Sequence, residues 1–252
     1  MIDCMLDSFV YEDGSYSTDD DTLVICIDPG HGGDEEGAKR EYDGRMVYEK
    51  DIDLEIALYL RDYLEEYYNV DVVMTRYDDT GVSNTSRPEL AKAQGADYYI
   101  SIHNNAPYDE AASYTGCMVL VSCSHYQPAD TTVPNLYYTE ERLATGIIAS
   151  LGNMGIGISN DFEASLTNGL LRRPYSPEGK AKSTKTYPDG SVADYYGQIR
   201  LCTEKGIPAI IIEHAYITTD TDYRSFLCSS EKRAALARAD ADAIASCLHL
   251  TK

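Results

Sequence analysis

Val24-Ile25-Cys26-Ile27-Asp28-Pro29-Gly30-His31-Gly32-Gly33 is the stretch that decides the fold. Its short apolar run, rich in β-branched residues, reads as a buried strand, and Pro-Gly stops it. The glycines on both sides of His31 let the backbone turn sharply and leave the imidazole uncrowded. The arrangement recurs in Tyr98-Tyr99-Ile100-Ser101-Ile102-His103-Asn104-Asn105, another apolar strand that delivers a histidine at its C-terminal end. A third strand, Ile207-Pro208-Ala209-Ile210-Ile211-Ile212, delivers Glu213-His214. Ligands in open α/β sheets gather outside the carboxyl ends of the strands. Strands aiming His, His and Glu/His at one edge therefore predict a metal site.

The segments between these strands alternate in pattern. Ile52, Ile56, Leu60 and Leu64, with Leu54 and Leu58, recur at helical spacing and predict a helix over Asp51–Tyr67. A strand is expected at Val70–Thr75, and a short helix at Pro88–Gln94 with Pro88 in its first turn. Another strand is expected at Gly116–Cys123, then helices at Leu136–Leu151, Ala193–Lys205 and Ser230–Leu248, the last with Ser230 as N-cap. His31–Tyr48 and Pro174–Gly190 read as loops. This alternation predicts an α/β three-layer sandwich, a largely parallel or mixed sheet of about six strands flanked by helices. One domain over residues 23–252 is expected, preceded by an acidic leader or linker remnant at 1–22.

Composition narrows the function. The chain has 252 residues, 43% hydrophobic and 25% charged, ordinary for a globular domain. A net charge of -21 argues against nucleic acid and anionic lipid as partners. No run approaches a membrane span. Met1–Thr22 contains no Lys or Arg, and Met1–Val10 is too short and interrupted for a signal core. On that reading the protein is cytoplasmic, or a leader is missing from the sequence. Seven dispersed cysteines without a CxxC pair predict neither a zinc knuckle nor a dense disulfide framework, and Cys26 and Cys202 read as core residues. A monomer is expected.

Catalytic zinc takes three protein ligands from His and carboxylate and keeps one position open. His31 and His103 are two candidates. The third is sought at Glu49 in Met46-Val47-Tyr48-Glu49-Lys50-Asp51, at the start of the first long helix. A carboxylate in a first turn also complements the helix dipole, so both roles stay open on composition. His214 offers a three-histidine alternative, although strand neighbours point to opposite faces. Glu213 follows five apolar residues. Burial there raises a carboxyl toward a working general base, while a salt bridge to Arg76 or Arg200 is the bland reading. No HExxH helix is present. His125 and His249 read as solvated. Arg172, Arg173, Lys180, Lys182 and Lys185 lie against Glu178 alone, a basic segment that attracts an acidic substrate or is simply a solvated loop.

Ile27–Gly33, Tyr48–Asp51, Thr75-Arg76, Ser101–Ala106 and Pro208–Glu213 together resemble the zinc-dependent N-acetylmuramoyl-L-alanine amidases, the MurNAc-LAA cell-wall hydrolases. The resemblance runs from about Leu23 to the C-terminus. It implies that His31, Glu49 and His103 bind one zinc (Zn2+) per chain, and that Glu213, rather than His214, is the catalytic acid/base. It implies peptidoglycan as partner, cut at the amide between N-acetylmuramic acid and L-alanine, and an extracellular or cell-wall location. Stem peptides carry carboxylates, so Asn105, Arg172, Arg173, Lys180, Lys182 and Lys185 are candidate substrate contacts. Two departures stand out: His214 occupies a place where many members carry a small residue, and the Pro174–Gly190 loop is long. A zinc peptidase or deacetylase, and a metal-free binding module on the same fold, are the competing classes.

Overall fold

The computed structural model describes residues 22–107, 113–129, 131, 133–161, 166–179 and 181–252. All of the expected 1–22 leader except Thr22, and Lys180, lie outside the described residues. The chain-order elements are β1 (Leu23–Pro29), β2 (Lys39–Tyr42), β3 (Arg45–Tyr48), α1 (Glu49–Leu64), β4 (Val70–Met74), α2 (Ser86–Ala93) and β5 (Tyr98–Asn105). There follow β6 (Met118–Leu120), α3 (Leu136–Asn153), β7 (Leu166–Thr167), β8 (Leu170–Leu171), α4 (Gly197–Glu204) and β9 (Ala209–Tyr216). A single turn α5 (Asp220–Asp222) runs into a π-helical turn, Tyr223–Leu227, before the closing helix α6 (Ser230–Leu248). No helix among the described residues is long and apolar enough to cross a membrane.

A seven-stranded mixed sheet in the order β4-β1-β5-β9-β6-β8-β7 separates two helical layers. β4, β1, β5 and β9 are parallel, β6 runs antiparallel to β9, β8 parallels β6, and β7 pairs antiparallel with β8. Strand alternation sorts the core. Ile25, Ile27, Ile100, Ile102, Ile210 and Ile212 pack with Ile52, Ile56, Leu60, Leu143, Ile147 and Ile244 of α1, α3 and α6. Cys26, Tyr99 and Ala209 face the other way, with Ala91 of α2 and Cys202 of α4. The buried Cys26 and Cys202 are the small core residues expected of them.

Chain order places the functional edge. From β1 the chain crosses to β4 on one side, then returns to β5 on the other. The C-terminal ends of β1 and β5, which carry His31 and His103, thus flank a topological switch point, where α/β folds hold ligands.

Several boundaries differ from expectation. His31–Tyr48 is not all loop: Lys39–Tyr42 and Arg45–Tyr48 form a hairpin. Asp43 and Gly44, at φ 51° and 79°, supply the left-handed pair that a tight hairpin turn requires. Tyr42 anchors it, stacked on Tyr223 at 3.8 Å, its hydroxyl donating to the Ile217 carbonyl at 2.9 Å. α4 starts at Gly197 because residues before it pair elsewhere, Asp194 with Pro174 and Val192 with Thr186. The N-cap of α6 is Ser229, not Ser230; its hydroxyl accepts from the Lys232 amide. β9 runs on to Tyr216, so Glu213 lies within the strand.

Candidate active site

Glu49 is the first residue of α1, and its placement starts with the backbone. Its amide donates to the Ala38 carbonyl at 2.8 Å while its Oε2 accepts from the Ala38 amide at 2.7 Å, which ties the helix start to the hairpin. Oε1 is thereby turned toward the sheet, where it meets His31 Nε2 and His103 Nδ1, each at 3.1 Å. The Asn104 amide donates to the same oxygen at 3.2 Å. His31 adopts a left-handed φ of 58°, unusual for a residue with a side chain. Arg87 holds that turn, donating to the His31 carbonyl at 2.6 Å and the Pro29 carbonyl at 2.7 Å. Arg76 adds donors to the Gly30 and Lys50 carbonyls at 2.5 and 2.9 Å.

Two glycines make room for the imidazoles. A Cβ on Gly30 would stand 2.4 Å from His103 Cε1 and 2.7 Å from Asp53 Oδ2. On Gly37, at φ 69°, it would stand 2.7 Å from both Glu49 Oε2 and His31 Cδ2. The glycine after a strand therefore serves close approach here as well as the turn.

Electrostatics separate the acids. Burial alone would raise Glu49, but hydrogen bonds from His103 and His31 bring it down to about 2. Burial, with the Glu49 charge adding to it, pushes Glu213 well above the carboxylate range. Asp53 is raised in the same way. Glu213 pairs with His103 in the β5/β9 register, so the two side chains leave neighbouring strands on one face. Asp53 Oδ2 and Glu213 Oε2 are both buried with no hydrogen-bond partner. Ligand atoms of His31, Glu49, Asp53 and His103 lie within 4.8 Å of one another. Imidazole nitrogens converging with carboxylate oxygens, some of them orphaned, fit a divalent cation such as zinc.

The structure thus gathers His31, Glu49 and His103, with Glu213 beside them. His214 is not in the cluster; it faces the α6 layer, fully buried. Neither Arg76 nor Arg200 is directed at Glu213: Arg76 holds backbone carbonyls, and Arg200 donates to the Asp194 carbonyl at 2.8 Å. Asn105 ends β5 on the His103 side, its Oδ1 accepting from the Ala106 amide. Arg173 lies over the rings of Tyr195 and Tyr196 at 5.5 and 5.4 Å. Burial pushes the Tyr196 phenol up to about 12, with Arg173 opposing and Glu213 reinforcing the rise, which places Tyr196 within reach of both fields.

The rest of the basic segment is not brought to the cluster. Arg172 pairs with Glu141 of α3 at 2.9 Å, and the neighbouring Glu140 accepts from the amide of Ala209, the first residue of β9. Lys185 lies over Tyr175 at 4.6 Å, in a folded segment whose Ser191 bonds Ser124 beyond β6. Lys182 is exposed on the same segment. The exposed His125 stacks on Tyr137, and His249 is the exposed left-handed C-cap of α6.

Sequence reasoning missed Asp53 and Asn104. Asp53 follows Glu49 by four residues, hence shares its helix face, and is a carboxylate among apolar positions of a core helix. That charge on a buried stripe was the available signal. Asn104 faces α1 and donates to Asp53 Oδ1 at 2.8 Å.

Comparison with known proteins bears on the family and the fold. The chain is 47% identical over 85 residues to the N-acetylmuramoyl-L-alanine amidase CwlM of Bacillus licheniformis, covering 33% of this chain and 32% of that protein. It is 43% identical over 85 residues to the sporulation-specific N-acetylmuramoyl-L-alanine amidase of Bacillus subtilis, again 33% and 32%. The chain therefore spans about a third of the length of these curated relatives. Its fold matches the crystal structure of an N-acetylmuramoyl-L-alanine amidase from Clostridium difficile 630 at a TM-score of 0.64 and 24% identity, covering 91% of this chain and 98% of that one. The catalytic domain of CwlV from Bacillus (Paenibacillus) polymyxa matches at 0.60 and 22%, covering 91% and 99%. A family model described as N-acetylmuramoyl-L-alanine amidase matches residues 25–246, and on that match the chain belongs to the N-acetylmuramoyl-L-alanine amidase family.

Proposed function

We propose that this chain is a zinc-dependent hydrolase that cuts the amide between N-acetylmuramic acid and L-alanine in peptidoglycan, acting at the cell wall. The observation that carries the reading is the single oxygen, Glu49 Oε1, shared at 3.1 Å by His31 Nε2 and His103 Nδ1, with Glu213 next to His103 across the strand pair. His31, Glu49 and His103 would hold the metal. When bound, zinc supplies a Lewis acid that polarises the scissile carbonyl and eases ionisation of water. Glu213 takes the proton from the attacking water and returns it to the departing alanine amine. Its shielded Oε2 and raised proton affinity suit that shuttle. Arg87 and Arg76 keep the His31 turn in place, and Asn105 and Arg173 are the proposed substrate contacts.

Zinc with one glutamate suits amide hydrolysis, whereas glycoside cleavage normally uses two carboxylates flanking the bond. Mass spectrometry of a peptidoglycan digest tests the assignment. Free stem peptides with an L-alanine amine, and glycan strands with bare lactyl carboxylates, are the expected products. Sugar-linked peptides cut between stem residues would make the protein a peptidase, and new reducing ends would make it a glycosidase.

A further inference from the structure

We propose that His214 and Asp240 form a buried positioning pair that orients the peptide group between His103 and Asn104, and through it two of the metal-binding side chains at once. The inference rests on the metal-centre reading above. His214 follows Glu213 on β9 and points to the opposite face, where Ile210 and Ile212 meet the α1, α3 and α6 layer. There its Nε2 lies 2.7 Å from Asp240 Oδ2 of α6, and both residues are fully buried. Its Nδ1 lies 3.2 Å from the His103 carbonyl oxygen. A carbonyl only accepts, so Nδ1 carries a hydrogen and donates.

The next link lies across the same peptide plane. The His103 carbonyl and the Asn104 amide belong to one peptide group, and that amide donates to Glu49 Oε1 at 3.2 Å. A chain of contacts therefore runs from Asp240 through His214 and the peptide to Glu49. Rotating this peptide plane would swing the His103 side chain and withdraw a donor from Glu49 together. The register makes the plane adjustable here. His103 faces Glu213 but Asn105 faces Tyr216, so β9 carries one extra residue opposite Asn104, and bulges re-aim neighbouring side chains.

Stability alone does not account for the pair. Asp240 sits in a helix whose neighbours are alanines, with Ala237, Ala239, Ala241 and Ala243 all buried, and its Oδ1 has no partner. A well-packed apolar substitute for a buried ion pair is often equally stable or better. Partners that orient metal ligands, by contrast, typically influence metal affinity by about 10- to 100-fold.

Two substitutions separate positioning from packing. In His214→Asn the side-chain amide can occupy the place of Nδ1 and still donate to the His103 carbonyl, but it cannot reach Asp240. In His214→Gln the amide extends toward Asp240 and gives up the carbonyl. Zinc dissociation constants are measured by competition with a chromogenic chelator, and the visible spectrum of the cobalt-substituted protein is recorded alongside. His214→Gln is expected to weaken zinc by roughly tenfold or more and to alter the cobalt bands, while His214→Asn stays near wild type. Asp240→Ala leaves both strands untouched and suits a helix; it frees the imidazole to rotate or to carry its hydrogen on Nε2 instead of Nδ1, a freedom the Asn amide does not have, and is expected to weaken zinc in the direction of His214→Gln. Equal zinc affinity in His214→Gln, His214→Asn and wild type overturns the proposal, as does equal loss in the two His214 variants. His31→Ala serves as the control for the centre itself. If it retains wild-type zinc, the metal-centre reading fails; if it loses zinc while His214→Gln and Asp240→Ala do not, only the positioning role fails.

Discussion

Glu49 and Glu213 are carboxylates in one site, and their surroundings drive them apart. Two imidazoles and a backbone amide meet Glu49, whose proton affinity falls to about 2. Apolar walls and the Glu49 charge leave Glu213 well above the usual range. On the proposed function the two take opposite roles, Glu49 as ligand and Glu213 as proton carrier. Glu213→Gln should therefore keep zinc, measured by metal analysis of the purified protein, and lose activity by several orders of magnitude. Glu49→Gln should lose the metal itself; equal metal loss in both would make Glu213 a ligand. Gly37→Ala tests the steric side of the site. Its Cβ would press on Glu49 Oε2 and His31 Cδ2 from a left-handed φ of 69°. Circular dichroism should show the fold retained, with zinc affinity reduced by about tenfold or more, in line with disturbed ligand orientation. Unchanged affinity would mean that the cradle is looser than the contacts indicate.

At the scale of elements, long helices were legible and short strands were not. α1, α3 and α6 repeat apolar residues over 16, 18 and 19 residues, long enough for the helical period to stand out. β7 and β8 have two residues each, too few to show any period; β8 forms on the edge of β6, and β7 pairs with β8 in turn. The β2–β3 hairpin did carry a signal, the Asp43-Gly44 turn. α3 is fastened to the sheet by Glu140, fully buried, which accepts from the Ser122 amide at 2.8 Å and the Ala209 amide at 3.0 Å. Burial pushes this carboxyl up to about 8 despite both bonds, from 4.5 when exposed. The folded state thus holds a proton that the unfolded state releases, so this contribution to stability is full below pH 4.5 and is lost as pH rises through 8. One proton limits the slope to about 1.4 kcal/mol per pH unit. Glu140→Gln cannot titrate and should lose that portion of the decline, read from denaturant unfolding at pH 5 and pH 8. Identical slopes in the two proteins would place the pH dependence elsewhere.

At the scale of the whole molecule, the described residues cohere through the layered core. Cys26, Cys117, Cys123, Cys202 and Cys228 are free thiols among the described residues, and burial holds those of Cys26, Cys117 and Cys202 well above the usual range. Adding a reductant should leave the thermal midpoint unchanged; a drop of several degrees would reveal a disulfide that supports the fold. The sequence by itself determined the α/β class, the alternation of elements, and the strand ends that carry His31 and His103, because periodicity and Pro-Gly punctuation are local properties. It also pointed to Glu49 and Glu213 through motifs that span only a few residues each. Tertiary structure decided what depends on register and on chain crossings. It set Glu213 beside His103 and turned His214 to the far face, since adjacent residues of one strand cannot share a side. It engaged Arg172 with Glu141 of α3 and Lys185 with Tyr175 instead of the cluster, since those partners come from segments distant in the chain or folded back on it. And it brought Asp53 of α1 and Asp240 of α6 against one face of the sheet, beside Asn104 of β5 and His214 of β9, a juxtaposition that exists only once the layers pack.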